Sequence, residues 1–423
     1  MKTRQAPLVL LALALGAGAG TAEAQTPTQP TQPAQPQNPL AILVVPRAAL
    51  GKAAANLQIE LISGATTNAR AADDSFDLND TAASVTKAGR VTGFTLLYGD
   101  VGYTALRQGK GLIDLGTSID LFKTAAQTEA YERKSVRDTR VGGRDASGVV
   151  IERKSTFRVN GLGPGAIGVR VVQRIGHKRI YSTYVDFQID RLLGEAIVTR
   201  GDAANADVQA VAIARALSSR IIAFAQGTLS AQPVTLPRPL GTRKPGKSAP
   251  DLESMVVATE DLKGKGGVFD QSFQSDDNAI ASYVREFRFG PGTGLFQLRS
   301  TAALERTRRE ASGLMLILRS IFTGPEGPAT LAGLISPNAT GVKLDAARGA
   351  GVGEESFSVS VSFTAQAQRF RAVLVYERRQ RIVGSVLLVG DFNKLTPGGV
   401  APYAGALDRR IKQTLKPQSP LVA

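Results

Sequence analysis

Along this chain the spacing of apolar residues changes twice from every second position to every third or fourth. In the later instance Phe357, Val359, Val361 and Phe363 alternate with Ser358, Ser360 and Ser362. A period of two is that of a strand with one buried face and one wet face. Two further strands are predicted at Arg369–Tyr376 and Ile382–Val389, joined through ERRQR, whose charge predicts a solvated turn. Ala404, Leu407, Ile411 and Leu415 then recur at helical spacing and form one apolar stripe.

The earlier instance runs in the same order. Strands are predicted at Val169–Ile175, Arg179–Ile189 and Leu192–Thr199, followed by a helix striped with Val211, Ala214, Leu217, Ile221 and Phe224. Alternation, in place of an unbroken apolar run, predicts antiparallel pairing.

The two instances are copies. A shift of 190 residues aligns Gly161–Ile221 with Gly351–Ile411 without a gap, and 13 of the 61 positions are identical. The helix ends ALSSRI (Ala216–Ile221) and ALDRRI (Ala406–Ile411) fall on each other. Matched Arg220 and Arg410 flank the stripe, with the stem packed and the guanidinium in water. Upstream, GLIDL at Gly111 matches GLFQL at Gly294 at an offset of 183, so seven residues must be inserted between, and Thr323–Ala350 is the expected place. A helix is predicted after each of these strands: Ser118–Lys134 in the first copy, with Leu121, Phe122, Ala125 and Tyr131, and in the second a face of Leu304, Ala311, Leu314, Leu318 and Ile321. The fold class is α+β: two homologous domains, each an antiparallel β-sheet packed by helices on one face.

Composition divides the rest of the chain. Lys2 and Arg4, the apolar run Pro7–Gly20 and AEA at Ala22–Ala24 predict an export signal over 1–24. A Gln/Thr/Pro spacer occupies 25–39, the first domain 40–230, a basic Pro-rich linker 231–250, the second domain 251–416, and a tail 417–423. No later uncharged run is long enough to span a bilayer: LMLIL at Leu314–Leu318 is stopped by Arg319. The expected location is outside the cytoplasmic membrane, whether periplasmic, wall-associated or secreted.

There is no cysteine, which excludes thiol catalysis, thiolate metal sites and a lipid anchor on cysteine. The formal charge is +15, a surface that attracts polyanions, although the same charge also serves solubility. Lacking Trp, with 6% aromatic residues, the chain is not expected to bind nucleic acid by stacking.

His177, the single histidine, sits in the turn IGHKR without a partner copy, since Ala367 stands at the matching place. The acidic pairs Asp73–Asp74, Asp276–Asp277 and Glu354–Glu355 are adjacent residues, which in a strand point to opposite faces. The shared Gly161-x-Gly163 and Gly351-x-Gly353 read as strand entries, and no G-x-S-x-G, H-E-x-x-H or P-loop is present. No catalytic, cofactor or metal residues are therefore assigned. Candidate anion-binding residues are the arginines retained in both copies, Arg179 with Arg369 and Arg191 with Arg381, which on two domains could hold one polyanion bivalently.

The order Gly-x-Gly, three antiparallel strands and a closing A-L-x-x-R-I helix, over Gly161–Ile221 and Gly351–Ile411, resembles bacterial extracytoplasmic sensor domains. It is similar to the sensor domains of mycobacterial serine/threonine kinases and to PsbP-like lipoproteins. That resemblance implies a ligand-sensing or binding module without catalysis; the chain departs from it in having no cysteine, lipid anchor or kinase. The expectation is an exported, non-enzymatic binding or sensor protein of the cell envelope, engaging an anionic polymer or lipid headgroups and needing no cofactor. Two alternatives stay open: a hydrolase acting on wall or lipid substrates, and a carrier of a small apolar ligand.

Overall fold

The computed structural model describes residues 38–415 apart from 74–80, 101–103, 139–140, 143–148, 164, 230–233, 238–239, 275, 277–278, 291, 337–338 and 366. The expected export signal, nearly all of the spacer and the tail lie outside the described residues, as does part of the linker. The chain forms two compact units whose main division falls after Pro237, with Thr104 and Ile175–Lys178 grouped with the second.

Before that point the strands are β1 (Gln58–Ile59), β2 (Gly64–Thr66), β3 (Arg90–Gly99), β4 (Leu112–Phe122), β5 (Val150–Arg158), β6 (Ile167–Ile175), β7 (Lys178–Ile189) and β8 (Leu192–Arg200). The helices are α1 (Asn68–Asp73), α2 (Ala82–Lys87), α3 (Thr104–Gln108), α4 (Ala125–Asp138) and α5 (Asp207–Ala225). After it come α6 (Leu252–Met255), β9 (Gly266–Gln274), β10 (Ala281–Phe289), β11 (Leu295–Leu304), α7 (Arg308–Thr323) and α8 (Gly327–Ile335). The chain then continues through β12 (Thr340–Arg348), β13 (Glu355–Ala365), β14 (Gln368–Arg379), β15 (Ile382–Asp391) and α9 (Ala401–Leu415).

The first sheet is ordered β1-β3-β4-β8-β7-β6-β5, with β2 also on β3, and the second β9-β10-β11-β15-β14-β13-β12. These are one antiparallel topology written twice, and the registers of the β4–β8 and β7–β8 pairs agree residue for residue with those of β11–β15 and β14–β15. Ile119 lies opposite Gly194 and Ala302 opposite Gly384, which reproduces the 183 and 190 offsets on the two strands of one pair. Val185 opposite Ala196 becomes Val375 opposite Val386. At the hairpin end Phe122 N donates to the Arg191 carbonyl at 2.9 Å, and Glu305 N to the Arg381 carbonyl at 2.9 Å. α4 and α7 start at the 183 offset, whereas Val150 and Thr340, opposite Arg174 and Thr364, stand at 190. The seven extra residues therefore fall between Thr323 and Thr340, where the second domain places α8.

The Gly-x-Gly entries share a backbone reason. Gly161, Gly163, Gly351 and Gly353 all take positive φ, from 68° to 99°, a region that costs side-chain-bearing residues.

Each closing helix buries its stripe against the sheet. In α5 Ala214, Leu217 and Ile221 join Leu115, Ile119, Val185, Phe187 and Val198; in α9 Leu407 and Ile411 join Leu298, Val375, Val386 and Leu388. Fully burying a Leu or Ile side chain contributes roughly 1.5–3 kcal/mol. α5 is long and apolar enough by composition to cross a membrane, yet that stripe lies in the core. The guanidinium of Arg220, a partly exposed residue, donates to the carbonyls of Leu43, 3.1 Å, and Ile42, 2.6 Å. Arg410 likewise holds Asp261, 2.7 Å, and Glu260.

The helix after the GLxxL strand lies on the opposite face of the sheet from the closing helix. Side chains alternate across a strand, so Val375 packs under α9 while Tyr376 stacks on Phe322 of α7 at 5.9 Å. In the first domain α4 covers Phe122 and Leu193 through Tyr131, whose ring lies 4.9 Å from that of Phe122. This helix starts at Ala125, because Ser118–Phe122 continues β4 and pairs with β8. The charged ERRQR stretch is not a solvated turn throughout: β14 runs on to Arg379, and its parity carries Glu377 beneath α9 with no exposed surface.

Candidate functional site

The four retained arginines do not converge within a domain. Arg179 opens β7 and Arg191 follows its end, 12 positions on, roughly 40 Å of extended chain. Arg179 is exposed and donates to Glu152 at 2.6 Å, a carboxylate that also holds Arg174 at 3.0 Å. Arg191 has Asp190 at 4.0 Å. Arg369 lies over the Phe392 ring, 3.5 Å from its centroid, and Arg381 is half-buried at the β14–β15 hairpin. What Arg191 and Arg381 demonstrably share is the backbone carbonyl that receives the preceding strand. His177 occupies the β6–β7 turn.

A cavity of about 680 Å³ opens in the first domain between α4 and the ends of β6 and β7. α4 supplies Glu129, Glu132, Arg133 and Val136; the entry to β6 supplies Gly165 and Ile167, and the end of β7 Gln188 and Asp190. Sequence reasoning singled out none of these.

The spacing of one helical turn puts Glu129, Glu132, Arg133 and Val136 on one side of α4. Glu129 and Arg133 form an exposed i, i+4 pair at 2.7 Å. The Glu132 carboxylate is buried, with only 4% of the residue exposed. Gln188 uses both amide hydrogens on the backbone, donating to the carbonyls of Ala125, 2.9 Å, and Asp190, 2.8 Å. Its remaining polar atom, Oε1, is an acceptor. Asp190 has φ of 51°, the turn geometry its counterpart Gln380 repeats at 52°.

The second domain carries different side chains at the equivalent place. The positions of Glu129, Glu132 and Val136 are held there by Ser312, Met315 and Arg319; those of Gly165, Ile167 and Gln188 by Glu355, Phe357 and Arg378. Ser312 Oγ donates to Glu355 at 2.7 Å, and Arg319 donates to the Ser356 carbonyl at 2.7 Å with its guanidinium over Phe357. Met315 is 3% exposed, and Phe357 stacks on Tyr376 at 5.4 Å. Arg378 ties this helix-to-sheet seam to Glu355, 3.1 Å, Glu354, 2.7 Å, and the Gln380 carbonyl, 2.8 Å. In the first domain a glycine, an isoleucine and a glutamine replace the larger groups. A Cβ at Gly165 would meet only Glu132 Oε2, 3.8 Å away.

Two buried acids lie away from this cavity. Asp114 of β4 is 1% exposed, and burial pushes its carboxyl up to about 7 against an opposing hydrogen bond with Thr199. Glu377 is pushed up to about 9, first by burial and then by the adjoining Asp408 carboxylate, to which the protonated acid can donate. Burial alone would raise Asp408, but Lys412, 3.0 Å, and Arg379, 2.7 Å, hold it below the usual range.

Among known proteins, no family model matches the chain, and no curated protein matches it. Solved structures give slight likenesses. The extracellular domain of PknH from Mycobacterium tuberculosis is 15% identical over 34% of this chain and 71% of its own, with a TM-score of 0.25. The immunity protein TplEi of the type VI secretion system of Pseudomonas aeruginosa, solved with a peptide, is 12% identical over 71% and 90%, with a TM-score of 0.17. The Tle4–Tli4 complex is 11% identical over 64% and 79%, with a TM-score of 0.16. An extracellular kinase sensor domain is thus a distant structural neighbour, and scores this low assign neither fold nor function.

Proposed function

We propose that this chain is an exported, non-enzymatic binding protein of the cell envelope whose first domain takes a small ligand in the cavity beneath α4. One observation carries the reading: where the second copy sets Met315, Phe357 and Arg378 at this seam, the first has smaller or different groups and a cavity of about 680 Å³. A cavity with mixed apolar and polar walls is the usual form of a small-ligand site. Export is supported by the charged start, apolar run and AEA of the first 24 residues.

Ligand-observed NMR on the mature chain with a mixed small-molecule library tests this. Ile167→Phe restores the second domain's ring to the cavity wall and should abolish binding of the hits. Hits that bind Ile167→Phe equally well, or a library with no hits, would remove the reading.

The surplus of positive charge favours a second reading, contact with anionic polymers or lipid headgroups through exposed Arg369 and Arg191. Vesicles of anionic lipid should then retain the protein at low salt and release it at physiological salt, since exposed charges are screened over about 8 Å there. Retention insensitive to salt would oppose it.

A further inference from the structure

We propose that Arg369, with Thr364 and Lys343 on the same side of the second sheet, binds a phosphate group. The inference rests on the second reading above, contact with an anionic surface, and names its site and ligand chemistry. Arg369 is exposed, and its guanidinium lies 3.5 Å from the Phe392 ring centroid. Stacking holds the guanidinium plane and leaves the N–H groups at its edge for an acceptor, a fork that fits phosphate in two-point contact. Among the described residues no carboxylate pairs with Arg369 or with Lys343. Asp345 is taken by Arg371, 2.8 Å, and Ser362, 3.0 Å, and Asp391 accepts from Asn393 N at 2.8 Å. Thr364 of β13 stands directly opposite Arg369 of β14, and Lys343 of β12 opposite Ser362, the next position on that face. By strand spacing Lys343 and Arg369 are roughly 12 Å apart at Cα, a gap that two long side chains span. A guanidinium, an ammonium and a hydroxyl there match the several oxygens of a phosphate better than a lone carboxylate.

The first domain supplies the contrast. Arg179 stands there at the position of Arg369, and Glu152 holds it at 2.6 Å. Glu152 is the extra residue of a bulge in β5, between Ile151 opposite Gln173 and Arg153 opposite Val172. β12 repeats the irregularity 190 positions on, between Thr340 opposite Thr364 and Lys343 opposite Ser362, and there Val342 takes the place of Glu152. Phe392 likewise replaces an acid, Asp202. The retained arginine therefore keeps its carboxylate in one copy, whereas in the other it keeps its charge and rests on an aromatic ring.

Two measurements on the mature chain test the inference: co-sedimentation with phosphatidylcholine vesicles, with and without phosphatidylglycerol, and phosphorus NMR of free glycerol phosphate. Phosphatidylglycerol should retain the chain at low salt, and acetate at matched ionic strength should not displace it more than chloride does. Arg369→Gln should weaken retention about tenfold, the loss expected for a charged hydrogen bond. Val342→Glu, which rebuilds the first domain's acid and removes no cation, should do the same, and it carries the test if Arg369→Gln fails to fold. Arg179→Gln changes the net charge equally and should leave retention as it was. Broadening of the glycerol phosphate line that Arg369→Gln abolishes would extend the site to soluble phosphoesters; its absence beside Arg369-dependent retention would confine the site to headgroups. Retention that ignores both second-domain variants, or that Arg179→Gln lowers as much, removes the inference and leaves the surface reading. Displacement by acetate removes the phosphate assignment. If vesicles never retain the chain, lipid contact falls; the inference then survives only on Arg369-dependent binding of glycerol phosphate, and without that it falls too.

Discussion

Replacing Glu377 with glutamine removes one buried acid from the second domain and keeps its shape and its donor toward Asp408. Glu377 has no exposed surface, and among the described residues no nitrogen or hydroxyl donor reaches its oxygens. Its carboxyl titrates at about 9 in the fold against 4.5 ordinarily. An acid raised by folding stabilises fully below the ordinary value, and that contribution is lost steadily as pH climbs toward the folded one. At 1.36 kcal/mol per unit, the 2.5 units between 4.5 and pH 7 amount to about 3 kcal/mol. Around pH 9 the cost is on the order of 6 kcal/mol by the same linkage. For a domain of this size each kcal/mol moves Tm by roughly 2–4 °C. Scanning calorimetry of the parent and of Glu377→Gln at pH 5, 7 and 9 reads the difference directly. The variant should match the parent within a degree or two at pH 5 and exceed it by roughly 5–10 °C at pH 7, more at pH 9. A difference in Tm that stays constant from pH 5 to 9 would refute the assignment of a protonated Glu377 to the native core.

Asp114→Asn should show the same sign in the first domain, with the gain developing between about pH 4 and 7 and level above, because its carboxyl is raised to about 7. Arg90 is 2% exposed and holds Asp120 at 3.0 Å, Thr66 Oγ1 at 2.7 Å and Asn68 at 2.8 Å. Arg90→Ala takes the guanidinium away from a buried carboxylate and should cost about 3–5 kcal/mol in urea unfolding; adding Asp120→Asn should recover part of the loss. Gly384→Val should cost about 1–3 kcal/mol by overpacking, since a Cβ there already lies 3.0 Å from both Ile411 Cδ1 and Leu407 Cδ2.

The duplication and its closing helices were legible because both are written in periodicity. Phe357 to Phe363 alternate, Leu407 and Ile411 fall one turn apart, and two constant offsets survive as strand registers. Retained glycines at 161, 163, 351 and 353 were legible for a backbone reason, positive φ. The cavity was not. Residues identical between copies were sought as a functional signal, and identity between copies selects what both folds need: Arg220 and Arg410 as ties, Arg191 and Arg381 as hairpin positions. A site present in one copy must lie where the copies differ. Glu132 against Met315, Gly165 against Glu355 and Gln188 against Arg378 are such differences, and nothing in the sequence alone says that the first set lines a cavity. Glu377 was misread for a related reason. A charged cluster looks like a turn, but strand parity, fixed by the hydrophobic neighbours Val373 and Val375, carries it inward.

The two arginine ties also bear on how such a protein could arise. Arg220 fastens the last helix of the first domain to Ile42 and Leu43, near where that domain's chain begins; Arg410 does the same to Glu260 and Asp261. Entry and exit of the polypeptide are thereby brought side by side in each unit. A module whose ends meet can be spliced in tandem, or excised, without unthreading a strand from its sheet.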